Sequence, residues 1–105
     1  MLERIKNLLR IDSSDLDDEI IDLIEACKLD MKTRGIMKLN SEDALIFRAI
    51  SIYCKAYFGY ADKDYEKYIK SYEALRDHIS MCGEYRVSEN EWVKSQNNHT
   101  ETYRI

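Results

Sequence analysis

Three cysteines, two histidines, one dense acidic cluster and eight tyrosines are the side chains of this sequence that could carry chemistry. Cys27, Cys54 and Cys82 are an odd number, widely spaced, and each falls inside an apolar helical pattern. That placement suits small buried hydrophobes better than disulfide partners or zinc ligands. His78 and His99 do not complete a metal-binding set with them, so no metal and no cofactor is expected. Neither histidine is set by a local motif beside a cysteine or serine, and the chain carries no phosphate-binding loop, nucleophile elbow or zinc-protease helix. An enzyme is not the expected reading. Asp15, Asp17, Asp18 and Glu19 lack the alternating ligands, central glycine and terminal glutamate of a calcium loop, and complement instead the positive end of a helix. The tyrosines could stack on bases, with Lys63, Lys67 and Lys70 nearby. Glu66, Glu73 and Asp77 interleave with those lysines, however, which makes the face a mixed, solvated one.

The elements that position these residues are helices. With no proline and three glycines in 105 residues, the composition is that of an all-α protein. The run Ala44 to Phe58, ALIFRAISIYCKAYF, holds only Arg48 and Lys55 as charges and is apolar nearly all round, so its neighbours must wrap it. It reads as the central helix. The pattern predicts a compact bundle of four helices over 2–9, 13–34, 41–58 and 63–82, followed by a C-terminal tail. The first places Leu2, Ile5, Leu8 and Leu9 on one side. The second is capped by Asp12 or Ser14, with Ile11 and Leu16 as a hydrophobic staple if Asp12 is the cap, and carries the stripe Leu16, Ile20, Leu23, Ile24, Cys27 and Met31. Ile36, Met37 and Leu39 fold back onto the core. Asn40 or Ser41 caps the central helix and Asp62 the last one, whose stripe is Tyr65, Tyr68, Ile69, Tyr72, Leu75 and Ile79. The evenly spaced Gly35, Gly59 and Gly83 each follow an apolar periodic segment, where a left-handed helix end is wanted.

Residues 1–83 form the helical domain in this reading, and 84–105 a polar, flexible tail. The tail is nevertheless dotted with Tyr85, Val87, Trp92, Val93, Tyr103 and Ile105, the pattern of a segment that orders on a partner. A net charge of −4 argues against holding nucleic acid by phosphate neutralisation. No stretch is long and apolar enough to span a membrane, and the charged, amphipathic MLERIKNLLR is unlike a signal peptide, so a cytosolic location is expected.

The segments LDDEIIDLIEACKLDMKTRGI (16–36), AISIYCKAYFGY (49–60) and DYEKYIKSYEALRDHIS (64–80) resemble the small helical head-tail connector proteins of long-tailed bacteriophages and prophages. That family likewise has an acidic-capped helix, an apolar helix ending in an aromatic-Gly turn, and a helix of the Tyr-Glu-x-Leu kind. The resemblance covers the first 83 residues and brings no active site. It implies a structural protein that assembles as a ring beneath the portal after DNA packaging, extends the channel and presents a surface to the next neck or tail-completion component. The partners it implies are the portal protein, those neck or tail components and further copies of the chain, with DNA only in passage. The place it implies is the host cytoplasm during assembly and the virion neck afterwards. On this reading the outward sides of the second and last helices meet ring neighbours, through Asp18, Glu25, Lys28, Lys32, Lys67 and Lys70, and the apolar residues of the tail dock into the portal. The alternative is a small helical adaptor that binds a host or phage regulatory protein, which predicts a defined small oligomer and no affinity for a portal.

Overall fold

A computed structural model describes residues 1–40, 42–58 and 64–86. Its order is α1 (Leu2–Leu9), α2 (Asp17–Thr33), α3 (Ala44–Phe58), α4 (Tyr65–Ser80) and a single 3-10 turn (Gly83–Tyr85). The all-α bundle of four helices expected from the pattern is present.

α3 is the hub, packing against α4, α2 and α1. Its Ile46, Ala49, Ile50, Cys54 and Ala56 have no exposed surface. The one buried hydroxyl of α3, that of Ser51, donates to the Phe47 carbonyl at 2.8 Å, so its polarity is satisfied within the helix. α2 contributes Ile20, Ile24, Cys27 and Met31, spaced so that all four fall on one stripe. Each buried Ile or Met contributes roughly 1.5–3 kcal/mol relative to exposure. Burial also pushes the Cys27 and Cys54 thiols up to about 12, which keeps them neutral packing groups. Cys82 differs from the expectation: it is half-buried at the core's edge.

The helix ends depart from the sequence reading at the start of α2, the cap of α3 and the end of α4, while α1 spans Leu2–Leu9 as expected. α2 starts at Asp17 with Leu16 at the cap position, because the segment before it folds into its own turn: Asp15 N–H donates to Ser13 Oγ at 2.9 Å, and Asp17 N–H to the Ser14 carbonyl at 3.2 Å. Asp12 and Ser14 therefore do not cap it, and Leu16 is exposed rather than closing a staple with Ile11. α3 is capped by Asp43, whose Oδ1 accepts from the amides of Leu45 at 2.9 Å and Ile46 at 3.3 Å. Asn40 caps only the preceding turn, through Glu42 N–H at 2.9 Å. α1 ends without a glycine: Arg10 adopts φ +60 and ψ +47 while Ile11 N–H returns to the Lys6 carbonyl at 2.9 Å. Gly83 has no positive φ and opens the 3-10 turn instead of closing α4. Ser41, Gly59 and Asp62, also read as helix-end residues, lie outside the described residues.

Gly35 does take the left-handed conformation, at φ +85, and an added Cβ there would stand 2.8–3.0 Å from the Arg86 guanidinium. Gly35→Ala is expected to cost about 1–2 kcal/mol from backbone strain. In an Arg86→Ala background the crowding is gone, so the further loss on adding Gly35→Ala is the backbone cost alone. Urea denaturation of the parent, the two single variants and the double variant measures both parts, and a Gly35→Ala chain as stable as the parent would contradict the assignment.

Candidate interaction surface

The residues expected at subunit contacts separate into three places. Glu25, Lys28 and Lys32 come together on the outward side of α2, where they edge an open groove of about 840 Å³. The opposite wall is the link after α2, which supplies Met37, Lys38 and Leu39. Lys28 Nζ stands 3.8 Å from Glu25 Oε2, a loose surface pair. Asp18 is exposed at the other end of α2. Lys67 borders a smaller hollow of about 220 Å³ with Arg48, Lys55 and Tyr68, and Lys70 is exposed on α4 outside both.

Leu29, Met37 and Leu39 are the apolar part of the groove's lining. Leu29 is 64% exposed and Met37 39%, and Ile21 stands 41% exposed two turns before Leu29 on α2. These are large side chains left without a partner beside charges, the composition of a contact surface. The signal was available in the sequence, since Ile21 and Leu29 fall off the stripe Ile20, Ile24, Cys27 and Met31 that fills the core.

Of the residues assigned to a portal-docking tail, Tyr85 is placed in the core, 5% exposed. Its hydroxyl donates to the Asp43 carboxylate, 2.8 Å from Oδ2 and 2.9 Å from Oδ1. Its carbonyl accepts from the amides of Met37 at 2.7 Å and Lys38 at 3.1 Å. Arg86 Nη1 donates to the Ser80 carbonyl at 2.9 Å. The 3-10 turn thus ties the end of α4 to the link that walls the groove. Burial and the Asp43 carboxylate push the Tyr85 hydroxyl up to about 12. Burial alone would raise Asp43, but the hydrogen bonds from Tyr85 and the two amides outweigh it and hold the carboxyl below its usual range. Val87, Trp92, Val93, Tyr103 and Ile105 lie outside the described residues.

A second polar cluster, which the helical pattern does not reveal, joins α2 to α4. Asp30 Oδ2 accepts from the Tyr72 hydroxyl at 2.6 Å and from Arg76 Nη1 at 3.0 Å, while Arg76 Nε donates to Asp77 Oδ1 at 3.0 Å. Arg76 is only 6% exposed, between Tyr72 and Ile79 on the side of α4 whose reading named no charged residue. At the start of the bundle, Lys6 is buried as well, its Nζ 2.8 Å from Asp17 Oδ1, so one member of the acidic cluster is used internally. Among the described residues no three His, Cys, Asp or Glu side chains converge as a metal-ligand set, and no helix is long and apolar enough to cross a membrane.

A four-helix domain whose buried Lys6 and Arg76 are paired with carboxylates belongs to the class of small all-α bundles. The chain belongs to the phage connector protein family, whose model matches residues 1–86 and so takes in all four helices and the 3-10 turn. No curated protein and no solved structure matches it.

Proposed function

We propose that this protein is a non-enzymatic structural connector that forms a ring below the portal and joins the DNA-filled head to the neck or tail. The observation that carries the reading is the family match, which covers the whole packed bundle rather than one helix of it. The exposed Ile21, Leu29 and Met37 support it, because a small domain that leaves large apolar side chains open gains burial from neighbours. The net charge of −4 suits a channel through which DNA slides, since an acidic wall repels phosphates. Assembly takes place in the host cytoplasm, and the protein then resides in the virion neck. Its partners are the portal, further copies of itself, and the next neck or tail-completion protein.

Light scattering coupled to size-exclusion chromatography tests this, on the protein alone and mixed with the portal protein encoded beside it. The expected result is a large species containing both chains, or a ring of this chain alone. Small species in both runs would refute the connector reading. The same mixture with a chain ended after Arg86 tests the tail: portal binding is expected to weaken, and unchanged binding removes the tail from the interface.

A further inference from the structure

We propose that the lysine-edged groove receives the acidic beginning of α2 from a second copy of the chain, head to tail, so that one helix supplies both halves of the contact. The inference rests on the ring reading above and names the surfaces that would build it.

The groove sets the chemistry of its occupant. Lys28, Lys32 and Lys38 line it together with Leu29 and Met37, and Glu25 is the single acidic residue of the lining. An occupant must bring several carboxylates around exposed apolar side chains. The start of α2 has that composition: Asp15, Asp18 and Asp22 are exposed beside Leu16 and Ile21, themselves 37% and 41% exposed. Asp17 is engaged by Lys6, and among the described residues the other three aspartates carry no ion pair. The two ends of α2 are therefore complementary in charge and alike in their apolar content.

Charge also selects the geometry. Groove against groove would oppose lysine to lysine, and acidic end against acidic end would oppose aspartates, both unfavourable. An antiparallel two-fold pairing of two α2 helices would set Glu25, the midpoint of Asp17–Thr33, against its own copy. Head-to-tail contact avoids all three, and a heterologous contact of this kind closes into a ring when its rotation divides the circle.

The test uses the full chain, its groove variant Lys28→Glu/Lys32→Glu and its end variant Asp18→Lys/Asp22→Lys, each checked for unchanged helical circular dichroism. Sedimentation equilibrium is run across a concentration series. The parent chain is expected to associate beyond two protomers, and more weakly at about 1 M salt, where screening is short-ranged. Each variant alone is expected to associate at least about tenfold more weakly, as like charges now face each other. Mixing the two variants is expected to restore association, because every interface in an alternating chain again pairs opposite charges. A parent that does not associate, association unchanged in both variants, failure of the mixture to rescue, or a mass that stops at two protomers would each overturn the proposal. Lysine acetylation of the monomer, read by mass spectrometry, tests the competing occupant. Protection of Lys28 and Lys32 that disappears on removing residues 87–105 would assign the groove to the chain's own C-terminal segment instead. Portal binding by a chain whose own association is unchanged by both charge reversals would defeat this contact and leave the connector reading standing. Charge-dependent association with neither a closed ring nor a portal complex would do the reverse.

Discussion

A chain ended after Gly83 is expected to be about 3–5 kcal/mol less stable than one ended after Arg86, the range measured when a buried aromatic is removed from a core. The two chains differ by three residues, yet those three include Tyr85, which is inside the core and bonded to both oxygens of the Asp43 carboxylate. Without it, Asp43 still caps α3 through the Leu45 and Ile46 amides, but the core loses one of its buried aromatic side chains. The amides of Met37 and Lys38 lose their acceptor at the same time. Tyr85→Phe isolates the polar part and is expected to cost about 1.5–3 kcal/mol, the usual cost of a hydrogen bond to a charged group. Urea midpoints of the three chains decide the matter. Coincident curves for the chains ended at 83 and 86 would show that the 3-10 turn is an appendage, and a boundary at 83 would then be the right one. On the packing described here, separate curves are the expected result.

How much of this was legible in the sequence depended on the distance over which each feature is decided. The stripe of α2 and the all-round apolar character of α3 are local patterns, and they placed Ile20, Ile24, Cys27, Met31, Ile46 and Ile50 correctly in the core. Helix starts were misplaced because several short polar residues compete for nearby amides: Ser13 Oγ takes the Asp15 amide, the Ser14 carbonyl takes that of Asp17, and Asp43 rather than Asn40 reaches the first turn of α3. Tyr85 looked like part of a polar segment because its partner, Asp43, lies 42 residues earlier. Arg76 hid within an apolar stripe for the same reason, its partner Asp30 being 46 residues away. Of the interaction surface, the α2 half was legible as outward charge. Its wall was not, because Ile36, Met37 and Leu39 were expected to fold back on the core, whereas Met37 is 39% exposed and the Tyr85 carbonyl holds the Met37 and Lys38 amides.

Arg76→Ala is expected to cost about 3 kcal/mol, at the low end of what breaking a buried ion pair costs. The low end applies because Asp30 is not itself deeply buried: its side chain is 34% exposed, so water can replace part of what Arg76 supplied. Asp30→Asn should cost less, about 1 kcal/mol, since Arg76 keeps Asp77 and Tyr72 can still donate to the amide oxygen. Acid titration separates the electrostatic share. Burial alone would raise the Asp30 carboxyl, but the hydrogen bonds from Tyr72 and Arg76, with the Arg76 charge, outweigh it and hold it below its usual range. A carboxyl depressed in the folded state contributes stability that is fully present above its unfolded value of about 3.9, and that is lost as pH falls through its lower folded value. Asp43 behaves in the same direction. The parent chain should therefore lose stability below about pH 4 through both carboxylates, while Asp30→Asn should lose it more gradually, through Asp43. Equal slopes in the two chains would show that Asp30 is not coupled to folding. The cluster holds the last turns of α2 against α4, and those turns carry Lys28, Leu29 and Lys32. A chain that loses Arg76 should accordingly loosen the groove even though no groove residue has changed, and the acetylation rate of Lys32 relative to that of Lys67 would register it.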